Sequence, residues 1–257
     1  MKHITSRDNP FYKGLLKLSG NARQRRKAGQ TLLDGAHLVA AYRACGGKPQ
    51  HLLHTGAAFQ NEEVAELLGS FPDVPQTLLD DALFAELSEL KTVSGLLALI
   101  ALPDSDFSPE RSGFCLLLED IQDPGNLGSM LRSAAAAGCD AVFLSPGCAD
   151  AWSPKVLRAA MGGHFVLNIV EDADLLAVAA QFGGQLFAAS LAGMTSLFEC
   201  ELRGRVGFAI GNEGAGLSAE LQAACQPFII PMPGQVESLN AASAAAICLF
   251  EAVRQRR

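Results

Sequence analysis

Val206-Gly-Phe-Ala-Ile210, followed directly by Gly211-Asn-Glu-Gly-Ala-Gly216, decides how the rest of this 257-residue chain is read. Five apolar residues in a row, too few for a helix, predict a strand buried on both faces of a parallel sheet. The three glycines then make a turn whose backbone amides lie bare or adopt positive φ, with Glu213 as the carboxylate among them. A helix is expected from about Ser218. Further on come a second apolar strand, Phe228-Ile-Ile-Pro-Met232, the turn Pro233-Gly234, and the cluster Ser238-Leu-Asn240, which opens a long alanine-rich helix. Ser238 is its expected N-cap. Upstream, the strand Phe114 to Leu118 ends in Glu119-Asp-Ile-Gln-Asp-Pro-Gly-Asn-Leu-Gly128, where Asn126 is expected to cap the next helix. Arg132 follows in that helix beside Ser133 and four alanines, so its guanidinium either looks into a cleft or pairs with an acid. Loops at the carboxyl ends of parallel strands share one crevice, which is where open α/β sheets bind ligands.

Composition narrows the class. With 49% hydrophobic and 18% charged residues, the chain has the material for well-buried cores. No run reaches eighteen apolar residues, and Met1-Lys-His-Ile-Thr-Ser-Arg7 lacks the apolar centre of a signal peptide, so a cytoplasmic protein without a membrane span is expected. Seven cysteines without a C-x-x-C pair, and five histidines without metal-ligand spacing, imply reduced thiols and no metal. Net charge is −7, but residues 1–30 carry eight cations against Asp8 alone, +7, which leaves −14 for the other 227 residues. A basic arm on an acidic body predicts a polyanion partner, met by Arg7, Arg23, Arg25, Arg26 and Lys27.

Alternating strands and helices fill residues 1–101. A helix from Asn9-Pro10 carries the stripe Phe11, Leu15, Leu16 and Leu18, Gly20-Asn21 breaks it, and a short basic helix runs through Lys27. Strands are expected at Thr31 to Leu33, Gln50 to His54, Gln76 to Leu79 and Gly95 to Ala101, with helices ending near Ala44, Gly69 and Leu90. Residues 102–113, rich in Pro, Ser and charge, read as a linker. Residues 114–257 form a second domain with a mainly parallel sheet. Within it, Ser153-Pro-Lys-Val-Leu-Arg158 opens a helix whose Lys155 and Arg158 are either phosphate ligands or solvated cations.

Asp123-Pro-Gly-Asn126 with Arg132, Ile210-Gly-Asn-Glu-Gly-Ala-Gly216, and Ile230-Pro-Met232 with Ser238-Leu-Asn240 occur in the order of the three motifs of the SpoU (TrmH-like) RNA 2′-O-ribose methyltransferases of the SPOUT superfamily, which they closely resemble. Ser6-Arg-Asp-Asn-Pro10, Arg25-Arg-Lys27 and Leu33-Asp-Gly-Ala-His37 are similar to that family's small RNA-binding domain, itself like ribosomal protein L30e, although Asp34 stands where many members carry Glu. The resemblance implies an α/β catalytic domain with a deep carboxyl-terminal trefoil knot, preceded by the L30e-like domain. It implies S-adenosylmethionine held by main chain around Ser190, Leu191, Gly211, Ile230, Met232 and Leu239. It implies a homodimer and an RNA substrate, with ribosomal RNA favoured over transfer RNA. Arg132, Asn126, Glu213, Ser238 and Asn240 are carried over as the catalytic set.

In that set the family's proposed base is Arg132. Deprotonating a guanidinium at neutral pH costs roughly 8 kcal/mol, at ~1.36 kcal/mol per tenfold. The milder expectation is that Arg132, held by Asn126 and Glu213, stabilises a developing alkoxide or positions a phosphate. A non-catalytic knotted RNA-binding protein is the alternative, opposed by the intact set. A nucleotide-dependent oxidoreductase is disfavoured because the glycines read G-x-x-G-x-G and follow a late strand.

Overall fold

The computed structural model describes residues 2–90, 94–103, 107–190, 193–236 and 238–257. Close contacts divide the chain into two units, Met1–Asp104 with Trp152–Phe165, and Ser105–Ala151 with Val166–Arg257.

The first unit begins with β1 (Lys2–Ile4), α1 (Pro10–Gly20), α2 (Ala22–Ala28), β2 (Gln30–Asp34), α3 (Ala36–Ala44), β3 (His51–His54), α4 (Glu62–Gly69), β4 (Gln76–Leu79), α5 (Asp81–Leu87) and β5 (Leu96–Ala101). Its five strands lie in the order β1-β4-β3-β5-β2, with β5 antiparallel to both neighbours and the other pairs parallel. Asn9 caps α1 by accepting from the amides of Phe11 and Tyr12, with Pro10 in the first turn. The helix buries Tyr12, Leu15 and Leu18 against Leu32, Leu53, Leu97 and Leu99. Tyr12 was absent from the expected stripe. Its hydroxyl donates to Leu83 O at 2.9 Å and to Glu86 Oε2 at 3.1 Å, and burial pushes the phenol up to about 12. The helix α5 stops before the expected Leu90, because the Ser88 hydroxyl turns onto the buried Asp34 carboxylate at 2.9 and 3.0 Å.

Cations on α1 and α2 divide by direction. Arg23, Arg26 and Lys27 are exposed. Arg25 is only 4% exposed and donates to the carbonyls of Leu18 and Ser19, the last turn of α1. It therefore corrects the expected RNA-contacting set: a buried guanidinium spent on helix-end carbonyls is a joint between two helices. Arg7 is exposed and paired with Glu86.

The second unit holds β6 (Phe114–Leu118), α6 (Pro124–Ala137) and β7 (Ala141–Leu144). The chain then lends Trp152–Phe165, with α7 (Pro154–Ala160), to the first unit. There the Thr31 hydroxyl donates to Trp152 O at 2.8 Å. Arg158 donates to Glu89 at 2.9 Å and lies 4.0 Å from Asp34, so it is an internal ion-pair partner, whereas Lys155 is exposed. Burial raises the Asp34 carboxyl above its usual range against the lowering pull of Ser88, the Glu89 amide and Arg158. The second unit continues with β8 (Asn168–Val170), α8 (Leu175–Gln181), β9 (Gln185–Ala189), β10 (Val206–Ile210), α9 (Ala219–Ala223), β11 (Gln226–Phe228) and α10 (Ala241–Arg256).

All six strands of this unit are parallel, in the order β11-β9-β10-β6-β7-β8. Every residue of β6, β7 and β10 is buried, as expected of strands covered on both faces. Phe187, Phe208 and Phe228 pack with ring centroids 6.1–6.4 Å apart. The last strand is shorter than the expected Phe228 to Met232. Its ladder ends at Phe228, Ile229 pairs with Thr195 and Leu197 instead, and Pro231 has no amide to continue it. Among the described residues no helix is long and apolar enough to cross a membrane, and no cluster of three metal-ligating side chains forms.

Replacing Arg25 by Ala is expected to destabilise the first unit by about 2 kcal/mol, the cost of charged hydrogen bonds to buried carbonyls. Arg23→Ala and Lys27→Ala leave the urea midpoint unchanged. Equal midpoints for all three variants overturn the structural assignment of Arg25.

Candidate active site

Four neighbouring parallel strands, β11, β9, β10 and β6, open their carboxyl ends on one edge of the second unit. After β8 the chain crosses to β9 and leaves a gap that β10 fills beside β6. That reversal of strand order is where loops splay apart and ligands enter.

Each loop is shaped by its own residues. Beyond β6, Asp120 adopts φ 54° and exchanges hydrogen bonds with the Ser145 hydroxyl, both at 2.9 Å. Asp123, not Asn126, caps α6, accepting from the Asn126 amide at 2.7 Å. The Asn126 side chain is thereby left for other work. Beyond β10, Asn212 folds the turn by accepting from the amides of Gly214 at 2.8 Å and Ala215 at 3.2 Å, while its own amide donates to Asp120 O at 2.9 Å. A Cβ on Gly211 would lie 2.3 Å from the Gly216 backbone, so only glycine lets the two arms of this turn meet. Glu119 anchors the far arm, accepting from the Ser218 amide and hydroxyl, each at 2.7 Å.

Beyond β11, Asn240 and not Ser238 caps α10, because its Oδ1 accepts from the amides of Ala242 and Ser243 at 3.0 and 3.2 Å. Its Nδ2 donates to Glu213 Oε1 at 2.8 Å and to Asn126 Oδ1 at 3.0 Å, and Asn126 Nδ2 also donates to Glu213 Oε1. Three loops far apart in the chain thus close on one carboxylate oxygen.

Next to this cluster lies a cavity of about 320 Å³. Ser190, Ile230, Met232, Ser238 and Leu239, all expected from the sequence, line it. Ala189, Ile229, Pro231 and Ala244 line it too and were not anticipated. Ala244 was legible, being one helical turn beyond Asn240 on the same face. Gly211 is not on this wall; its place is the backbone-to-backbone contact with Gly216 and Leu217. Leu191 lies outside the described residues. Arg132 is exposed on α6. Among the described residues it has no hydrogen-bond or ion-pair partner, so the expected clamp by Asn126 and Glu213 is corrected. Six residues along a helix turn a side chain by about 240° and carry it about 9 Å from Asn126.

A family model of the SpoU rRNA methylase family matches residues 113–250. The chain belongs to this family. It is 33% identical, over 98% of its length and 94% of the other, to an uncharacterized tRNA/rRNA methyltransferase of Synechocystis sp.. It is 31% identical to the 23S rRNA (guanosine(2553)-2′-O)-methyltransferase of Bacillus subtilis, over 97% of this chain and 98% of that one. The crystal structure of a SpoU methyltransferase from Streptomyces viridochromogenes, in complex with AdoMet, superposes with a TM-score of 0.87 at 30% identity, covering 96% of this chain and 98% of that chain. The α/β fold with its parallel sheet is thus that of SpoU methyltransferases.

The cavity suits such a cofactor. Its volume sits at the lower end of the roughly 300–1,000 Å³ of small-molecule sites, and among the described residues no charged side chain lines it. Beside its apolar side chains, the wall offers the main chain of the turns and the side chains of Ser190 and Ser238.

Asn240→Asp keeps the cap oxygen but sets a second carboxylate against Glu213. Like charges raise the carboxyl pKa in the folded chain above its unfolded value, so the variant's deficit, about 1 kcal/mol, is full at pH 7.5 and shrinks as pH falls through that raised value. Urea unfolding at pH 7.5 and 5 measures it. A deficit independent of pH would show that Asn240 acts as a cap alone.

Proposed function

We propose that the second unit works as the catalytic domain of an enzyme of structured RNA, with ribosomal RNA preferred to transfer RNA and the cytoplasm as its compartment. As a member of its family the chain is an RNA 2′-O-ribose methyltransferase with S-adenosylmethionine as methyl donor. The observation that carries the residue assignment is the cavity at the strand ends, continuous through Ser238 and Leu239 with the hydrogen-bonded Asn126, Glu213 and Asn240. Ser190, Ile230, Met232 and Leu239 form the cofactor site in this reading, together with Leu191, next to Ser190 in the chain, and Gly211 at the start of the turn after β10.

When bound, the cofactor supplies an electrophilic methyl sulfonium. The chain's part is to exclude water with the apolar wall and to bring a ribose hydroxyl into line. Asn126, Glu213 and Asn240 hold the three loops in register, and the Ser238 hydroxyl stands at the cavity rim. Arg132, a cation without a partner among the described residues, on the helix that starts at this edge, meets the RNA phosphate or the developing alkoxide, and a water or the RNA takes the proton. Arg7, Arg23, Arg26 and Lys27 bind the RNA backbone from the first unit, residues 1–101 acting as an L30e-like substrate domain.

The same reading includes a carboxyl-terminal knot. Support comes from close passage on two sides: a Cβ on Gly193 would lie 2.7 Å from the Phe228 backbone, and Asn240 reaches Asn126 and Glu213. It also includes a homodimer through the second unit, supported by exposed Met194, Phe198 and Phe250, with Gln255 tying the Cys200 segment to α10. Sedimentation should give a dimer at micromolar concentration; a monomer there overturns this assembly.

Arg132→Ala should lower methyl transfer to ribosomal RNA by about 10²–10³-fold, with Arg132→Lys in between, while calorimetry records unchanged S-adenosylhomocysteine binding and none for NAD. Wild-type turnover in Arg132→Ala disposes of the role given to Arg132. Absence of S-adenosylhomocysteine binding disposes of the cofactor site.

A further inference from the structure

The first unit contains a recess that methyl transfer leaves unused. It measures about 280 Å³, is floored by Leu18 and Leu99, and is rimmed by Phe11, Lys17, Gln24 and Gln30. Its rim carries polar groups without partners. Among the described residues the side chains of Lys17 and Gln24 make no hydrogen bond or ion pair, and Gln30 uses its amide nitrogen on Gln50, leaving its oxygen open. Phe11 is braced from behind by His51, with ring centroids 4.8 Å apart.

This inventory is chemically specific. A primary amide offers a donor and an acceptor side by side, the pattern that reads the edge of a nucleobase, and an aromatic ring accepts a base face. The volume falls just below the roughly 300 Å³ at which drug-sized sites begin, so the recess takes a single base and no helix. Gln24 and Ala28 on its α2 wall are each preceded by an exposed cation, Arg23 and Lys27, suited to flanking phosphates. The larger recess of the same unit, about 600 Å³, has Asp81 and, among the described residues, no cation in its lining.

We propose that the recess between α1, α2 and the sheet captures one unpaired nucleobase of the RNA substrate, with Gln24 and Gln30 on its edge and Lys17 on the adjoining phosphate. The inference rests on the RNA reading above and adds to it a specificity site within the first unit.

Gly14 provides the test. It lines the recess from the middle of α1, and a Cβ there meets nothing within 4 Å. Gly14→Phe fills the space without displacing core atoms, and Gly14→Ala is the helix-favouring control. Saturation-transfer NMR on the full chain, with S-adenosylhomocysteine in excess to occupy the other cavity, reads CMP, UMP, GMP and ribose 5-phosphate. Base protons of at least one nucleotide are expected to saturate with wild type and Gly14→Ala, and not with Gly14→Phe or the Gln24→Ala, Gln30→Ala double variant. The dissociation constant for in vitro transcribed ribosomal RNA should rise roughly tenfold in the latter two, as for loss of one stacked base. Unsaturated base protons, saturation equal to that of ribose 5-phosphate, or equal RNA affinity in all variants overturns the proposal. Failure of wild type to bind S-adenosylhomocysteine sinks the methyl-transfer reading instead, and nucleotide saturation still reports on the recess.

Discussion

Glu213 Oε1 accepts from two side-chain amides contributed by loops more than a hundred residues apart, Asn126 after β6 and Asn240 after β11. Asn240 cannot relax this arrangement, because its oxygen already serves the first turn of α10. Each bond is exposed and adds only about 1 kcal/mol or less. The effect is geometric: the entry to α6, the glycine turn after β10 and the start of α10 are held in one register. The cavity depends on that register, since Ser238 and Leu239 immediately precede Asn240 in the chain and form part of its wall.

Glycine makes the register attainable. At Gly211 two backbone arms approach more closely than a Cβ permits, and at Gly193 the chain passes the Phe228 backbone with similarly little clearance. Gly193 and Phe228 lie next to stretches that line the cavity through Ser190 and Ile229, whereas Gly211 shapes only its own turn. The described part of the cavity wall is made of turns, two serines and apolar side chains, and Arg132 has no partner among the described residues.

The first unit follows a different economy. Four consecutive residues of α2, Arg23 to Arg26, show one helix sorting like side chains by direction: Arg25 turns inward to finish α1, while Arg23 and Arg26 stay outside. Composition reports +7 for the first thirty residues but not which cations are available. Arg158 is a parallel case, a cation whose partners, Glu89 and Asp34, come from distant stretches of the chain.

Most strand and helix positions, the parallel sheet and the motif set of the family were legible in the sequence because they rest on local signals: buried apolar runs, glycine turns and helix-opening polar residues. Most of the cavity wall was legible for the same reason. The strand β1, three residues with only Ile4 buried, gave no such signal. Tertiary structure alone decided that Asp123 and Asn240 are the caps in place of Asn126 and Ser238, that β11 ends at Phe228, that Arg25 is buried and that Arg132 makes no bond to Glu213. Each of these turns on a competition between distant partners for one donor, one acceptor or one volume. Spacing along the chain fixes who can compete, and only folding in three dimensions sets the distances that settle it.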